Sequence, residues 1–315
     1  MNRLIRSFSF AAMVFLLATP AFAQQVVKIA TLAPDGSTWM RELRQTAAEV
    51  SAGTQGRVTV KYFPGGVMGS DTVVLRKMRL GQLQGGVLTS SELAQAYNDS
   101  AIYSLPFLFT TWDQVDKART VVDPLLAKGF EAKGMTMLAA SKLWIPQNDE
   151  IAERTFKAGG ATPILLPLGD VFTSLQTGLV DTVANTPSGA VALQWHGKLK
   201  YMVDLPLSYV VGYMVMDQKV WQKLSAADQA VVSRAFSGAA ARMDASIQRD
   251  DEAALKAMQK QGLKVISLDA AETARWREIG ARVTRRLESD KAISPALLAA
   301  VRKAGAGVAA GGKAR

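Results

Sequence analysis

Val26-Val-Lys-Ile-Ala-Thr31, followed by Leu32-Ala-Pro-Asp-Gly36 and then Ser37-Thr-Trp-Met40, is where the fold is decided. A short apolar run that ends in a Pro/Gly loop reads as a strand entering a turn. Ser37 stands where a helix N-cap stands. Beyond it Trp39, Leu43, Ala47 and Val50 recur at helical spacing, and Gly53 marks the end. Residues 57–63 then alternate Val58, Val60 and Tyr62 with polar neighbours, the pattern of a half-buried strand. Pro64-Gly65-Gly66 breaks it, Ser70-Asp71 opens a helix running to Gly81, and residues 85–88 read as a third strand. This β-α-β-α-β order predicts a parallel sheet covered by helices, with any ligand beyond the carboxyl ends of the strands. The loops 32–38, 64–70 and 89–92 are the first segments expected to line a site.

Upstream, residues 1–23 carry Arg3 and Arg6, an apolar run from Phe8 to Ala18, and Ala21-Phe-Ala23. That is the grammar of a cleavable export signal. The run is too short to cross a hydrocarbon core about 30 Å thick, so no stable membrane insertion is expected. In a bacterium the destination is the periplasm.

Downstream, residues 112–129 read as a helix. Residues 135–140, 143–145, 162–166 and 180–184 read as strands, with helices over 149–158 and 171–178 between them. This second β-α-β series predicts a second lobe. Residues 207–216 are strand-like. Ser225-Ala-Ala-Asp228 opens a long helix to about Lys260, Asp269-Ala-Ala-Glu272 another, and Ser294-Pro295 a third. The expected division places 24–130 and 205–240 in one lobe and 131–204 with 241–301 in the other. A loose basic tail is expected over 302–315.

The 315 residues include no cysteine and one histidine, with a formal charge of +10. Without cysteine there are no disulfides, thiolate metal sites or thiol nucleophiles. One histidine leaves no material for a His-rich metal cage and little for a serine triad. Neither cofactor nor metal is expected, and no residue stands out as catalytic. Removing Arg3 and Arg6 lowers the charge to +8. The remaining basic residues are scattered, without an aromatic-interleaved patch, so a nucleic-acid partner is not expected. Gly307 to Ala314 approaches a phosphate-loop pattern but lacks the following helix that the motif needs. His196, beside Trp195 and before Gly197, reads as a capping or surface side chain.

Thr89, Ser90, Asp170 and Asn185 lie just past predicted strands, where a polar side chain reaches a ligand or caps a helix. Phe107, Phe109, Trp144, Trp195 and Tyr209 are candidate cleft walls, although an aromatic in an apolar run is ordinarily core.

The segments Val26 to Pro34, Phe63-Pro-Gly-Gly-Val-Met-Gly69, Leu105-Pro-Phe-Leu-Phe109 and Gly169 to Asp181 with Asn185-Thr-Pro187 resemble, in order and context, the DctP-type solute receptors. These are the periplasmic binding proteins of tripartite ATP-independent (TRAP) transporters. The resemblance runs from Val26 to near Arg302. It implies a two-lobed periplasmic binding protein of type II-like α/β fold, with mixed sheets flanked by helices and a long helix shared between the lobes. It also implies a small organic acid enclosed in the cleft and delivered to a sodium-driven membrane permease.

The chain departs from that family in two places. Lys142-Leu143-Trp144 stands where the family has a Lys-x-Arg strand, so the usual carboxylate clamp is replaced. Residues 135–140 also run almost directly into 143–145, where relatives carry roughly twenty more residues, enough for a strand pair. With Trp144 in place of the arginine, a less acidic or more apolar ligand is expected. The residues expected to contact it are Trp39, Ser90 and Phe107 from the first lobe, and Trp144, Asp170 and Asn185 from the second. A degenerate or sensory binding module, and a periplasmic enzyme on the same architecture, are the alternatives open at this stage.

Overall fold

The computed structural model describes residues 24–142, 149–209 and 211–306. Residues 1–23, expected as an export signal, Trp144 with its neighbours 143–148, and the last residues from 307 lie outside them. The strands are β1 (Gln25–Thr31), β2 (Val58–Phe63), β3 (Gly85–Thr89), β4 (Met135–Lys142), β5 (Tyr201–Val203), β6 (Val211–Asp217) and β7 (Lys264–Ile266). The helices are α1 (Thr38–Gly53), α2 (Asp71–Arg79), α3 (Ser90–Leu93), α4 (Trp112–Ala132), α5 (Glu150–Ala158), α6 (Leu168–Thr177), α7 (Pro187–Ala192), α8 (Gln218–Gln222), α9 (Ala226–Lys260), α10 (Ala270–Ser289) and α11 (Pro295–Ala306). Short 3₁₀ turns cover Asn98–Ser104 and Trp195–Lys198.

The first lobe is a five-stranded mixed sheet in the order β2-β1-β3-β6-β4. β1 pairs in parallel with β2 and β3, as the βαβαβ pattern requires, and β6 runs antiparallel to both β3 and β4. Both faces are covered. Val27, Ile29, Val87, Met214 and Met216 pack on α1 and the first half of α9. Ala30, Leu88, Tyr213 and Val215 pack on α2, α3, α4 and α11. That is why β3 and β6 are apolar nearly throughout rather than alternating. Helix starts follow local chemistry. Ser37, Thr111, Ser225 and Asp269 each accept a backbone N–H of the first turn with their side chains.

The second lobe is slight. α6, α7, the turn at Trp195–Lys198 and the end of α9 enclose a small core around Trp195, Met258 and Leu263. Its sheet is the parallel pair β5-β7, three residues each. Residues 162–166 and 180–184, expected as strands, form no ladder. Pro163 and Pro167 each lack a backbone donor, and no described strand lies alongside to pair with them. Ile164, Leu165 and Leu179 are left exposed.

Three further expectations are corrected. β4 was assigned to the second lobe but forms the edge of the first-lobe sheet beside β6, with a bulge between Met137 and Ala139. α10 and α11 were also placed in the second lobe. Their apolar residues Val283, Leu287, Leu297, Leu298 and Val301 instead join the first-lobe core. The loose tail expected over 302–315 is not found where the chain is described: α11 continues to Ala306, and Arg302 donates to the Glu288 carboxylate.

α9 is the element the lobes share. Over its 35 residues it passes from the first-lobe core at Val232–Met243 to the second-lobe core at Leu255–Met258. Packing elsewhere is tight enough to predict single-residue effects. Gly129 lets α4 approach Tyr97, whose ring meets Phe130 edge-on; a Cβ at 129 would collide with the Tyr97 ring. Gly129→Ala is expected to cost about 1–3 kcal/mol through overpacking, read as a lower urea midpoint at unchanged slope.

Candidate functional site

A cleft of about 420 Å³ separates the two lobes. One wall is built at the carboxyl end of the sheet, where chains leaving β1 and β3 must turn into helices. It comprises Thr31, the loop from Leu32 to Ser37, the first turn of α1 with Thr38 and Trp39, then Arg41, Thr89 and Asp71. The other wall is α7, with Ser188, Gly189 and Val191, and the crossing stretch of α9, with Ser246, Ile247 and Asp250. Aliphatic and aromatic surface is thus interrupted by hydroxyls from both sides.

Its charges are few. Arg41 is the only arginine or lysine lining the cleft among the described residues. Its guanidinium donates to the Gly36 carbonyl at 2.9 Å and to Thr38 Oγ1 at 2.8 Å, which fixes the β1–α1 loop. Arg44 pairs with Asp35 at 2.6 Å, both well exposed. Asp35 lies below the ordinary carboxylate range because that guanidinium bonds it.

On the second wall, the Asp251 carboxylate accepts both the backbone N–H of Ser188, at 3.0 Å, and its hydroxyl. Thr186 caps the same turn by accepting from Gly189 N. These contacts seat α7 on α9 and so place the second wall.

Asp71 is the buried charge candidate. It is 1% exposed at the first position of α2, and its Oδ2 accepts from Thr89 N at 2.8 Å and from Thr89 Oγ1 at 3.0 Å. Burial raises its pKa to about 7. The two bonds from Thr89 pull it down, and the carboxylate of Glu92 on α3 pushes it further up.

The residues expected to bind ligand do not all meet here. Trp39 lines the cleft. Ser90 does not: it is fully buried, and its hydroxyl meets that of Ser104 at 3.1 Å. The preceding residue, Thr89, takes the cleft position, since the end of a strand sends successive side chains to opposite sides. Phe107 points elsewhere, into a second hollow of about 370 Å³ beside α10, where its ring fills the space left by Gly280. Its positive φ of 55° turns the chain there, and its N–H donates to the Leu207 carbonyl.

Asp170 is exposed in the first turn of α6, outside the cleft lining. Asn185 lies just before α7, its Oδ1 accepting from Thr186 N, and it too is absent from the lining. Trp144 lies outside the described residues. Phe109 and Trp195 are core, and Tyr209 packs edge-on against Trp112. Arg41, Ser188 and Asp250 were not anticipated. Arg41 could have been found from its spacing, since at three residues beyond Thr38 it shares that helix face.

No group of three or more His, Asp or Glu residues able to hold a metal ion occurs among the described residues. None of the described helices is long and apolar enough to cross a membrane.

A sequence model of bacterial extracellular solute-binding proteins, family 7 (DctP), matches residues 29–145 and 140–290. The chain belongs to the DctP family. The two matched stretches meet at 140–145, where the shortening was read. The DctP-family chain is 25% identical to the C4-dicarboxylate-binding periplasmic protein DctP of Rhodobacter capsulatus, over 85% of this chain and 88% of that one. In fold it is similar to the sugar acid binding protein DctPAm of Advenella mimigardefordensis, solved with galactonate. That TM-score is 0.83 at 21% identity, covering 90% of this chain and 98% of that one. A TRAP periplasmic solute binding protein of Roseobacter denitrificans, solved with β-D-glucuronate, gives 0.81 at 18% identity, covering 88% and 99%. The DctP family is one of solute-binding proteins, not of enzymes.

Proposed function

We propose that this chain is the solute receptor of a TRAP transporter, exported to the periplasm by its N-terminal signal, and that its solute is a hydroxylated monocarboxylic acid of the sugar-acid class. The observation that carries the ligand class is the cleft lining: one cation, Arg41, against at least six hydroxyls from Thr31, Ser37, Thr38, Thr89, Ser188 and Ser246. One guanidinium suits one carboxylate, which it can meet bidentately. A ring of hydroxyls suits a polyhydroxylated body: Thr89 and Ser188, whose protons go to Asp71 and Asp251, can accept from it, and the others can donate or accept. The galactonate and glucuronate held by proteins of similar fold belong to that chemical class.

Contacts from both walls give the mechanism. A solute that touches the β1–α1 loop and α7 together binds the closed arrangement better than the open one, and only that difference shifts the equilibrium. A membrane permease can then tell loaded from empty receptor by shape.

A thermal-shift panel tests this. D-galactonate, D-glucuronate, succinate, a neutral hexose and an amino acid are compared on the mature chain. A matched sugar acid at a hundredfold excess over its dissociation constant is expected to stabilise the fold by about 2.7 kcal/mol. A neutral hexose should give less. A panel in which no sugar acid raises the melting temperature, or in which succinate does so best, overturns the assignment.

A further inference from the structure

Asp71 has a feature that neither folding nor the cleft's hydroxyl chemistry uses. Its Oδ2 is held by two donors from Thr89, but its Oδ1, equally buried, has no hydrogen-bond partner among the described residues. A buried polar atom without a partner costs about 1–3 kcal/mol, and more when charged, so such atoms are uncommon in folded proteins. This one belongs to a residue that lines the cleft, on the wall opposite α7.

The surroundings decide which protonation state the site prefers. From α3, Glu92 presents a second carboxylate; its Oε2 accepts from Thr72 Oγ1 at 2.5 Å. From α1, Arg41 lines the same cleft; two of its five N–H groups hold Gly36 and Thr38, and no bond from it to Asp71 occurs among the described residues. From α9, Asp250 lines the facing wall with further negative charge. The start of α2 and the Thr89 donors favour an ionised Asp71, whereas burial and Glu92 oppose it. Among the described residues no cation bonds Asp71 directly. Adding an anionic solute brings a third negative group to this floor, which tips the balance toward the neutral acid. A neutral carboxyl keeps Oδ2 as the acceptor for Thr89 and turns Oδ1 into a hydrogen-bond donor.

We propose that Asp71 is the floor contact of the cleft, protonated when a solute is enclosed and donating from Oδ1 to a solute oxygen, so that binding of the acid takes up a proton wherever Asp71 is ionised in the empty receptor. This rests on the proposed function above. Atoms balance simply: the proton comes from solvent, resides on Asp71 Oδ1 and returns to solvent on release. A receptor built this way holds its solute better on the acidic side of neutrality.

Two measurements test it. The first needs no ligand. A carboxyl whose pKa is raised by folding stabilises the fold most below its unfolded value near 4, and that contribution is lost as pH rises through about 7. The urea midpoint of the wild type should therefore fall, relative to Asp71→Asn, between pH 5 and pH 8. A difference that stays flat overturns the proposal.

The second uses D-galactonate and D-glucuronate as probes. Their Kd for the wild type should rise about tenfold from pH 6 to pH 8, which is the titration of one group near neutrality. In Asp71→Asn, whose amide donates at every pH while its oxygen still accepts from Thr89, Kd should be nearly constant. Normal binding with a flat wild-type profile overturns this inference and leaves the receptor assignment standing. Failure of both acids to bind at any pH overturns both.

Discussion

Replacing Arg119 with alanine is expected to lower the unfolding free energy by about 3–5 kcal/mol, the largest single-residue loss outside the sheet core. Arg119 rises from α4 and is only 16% exposed at its side chain. Its Nε donates to Asp123 at 3.1 Å, one terminal nitrogen to Asp244 on α9 at 2.6 Å, and the other to the Ala140 carbonyl on β4 at 2.5 Å. Ser141 donates to the second oxygen of Asp244, and Tyr103 to Asp123 at 2.6 Å. One guanidinium thus binds α4, β4 and α9 at the place where α9 leaves the first lobe.

Burial works against the charge of Arg119, but the two aspartates outweigh it and hold its pKa above the ordinary arginine value. Asp123 is pushed up by burial, with Arg119 as the main opposing influence. Truncation therefore takes the guanidinium away from two poorly solvated carboxylates, which costs far more than losing an exposed ion pair would. Arg119→Lys should recover only part of the loss, because an ammonium cannot fork toward two carboxylates and a carbonyl at once. Urea denaturation followed by circular dichroism reads both variants. A loss below about 1 kcal/mol for Arg119→Ala would show that the network is solvated enough to be replaced by water.

The sequence made some of this visible and hid the rest for definite reasons. The helix starts at Ser37, Ser225 and Asp269 were legible because a cap is a local interaction, written in one side chain and the first turn it serves. The parallel arrangement of β1, β2 and β3 followed from the intervening helices, which fix the crossover. By contrast, the place of β4 is a long-range fact. An apolar run such as Met135–Ala140 has the same composition whether it pairs with β6 or with a strand of the other lobe. Residues 162–166 failed as a strand because apolar content was weighed without the donors that Pro163 and Pro167 lack.

At the end of β3 the sequence points to Thr89 and Ser90 alike; Ser90, the expected ligand contact, is buried, and Thr89 lines the cleft. The second wall was harder. Ser188 is placed by Asp251, a partner 63 residues away on a helix whose path cannot be read from its own spacing.

In the proposed sugar-acid assignment the solute carboxylate meets Arg41, and Arg41→Ala is expected to weaken D-galactonate or D-glucuronate binding by roughly 10- to 150-fold. That range is the about 1.5–3 kcal/mol that a hydrogen bond to a charged group contributes. The guanidinium holds the β1–α1 loop through Gly36 and Thr38 and lines the cleft at the same time. Removing it therefore has two possible effects, which can be separated. Loosening the loop weakens every solute that touches Trp39 and Ser37, charged or not. Losing the charge weakens acids alone.

Arg41→Gln is the discriminating variant, since its amide can still bond the loop but carries no charge. It should bind a neutral hexose as the wild type does and bind the sugar acids at nearly the weakness of Arg41→Ala. Isothermal titration at 0.05 M and 0.15 M salt adds a second reading. Attraction between an exposed guanidinium and a carboxylate is screened as salt rises, so wild-type affinity should fall modestly and that of Arg41→Gln should not. Equal binding of sugar acids by wild type and Arg41→Gln would move the carboxylate away from Arg41, toward the α7 side of the cleft.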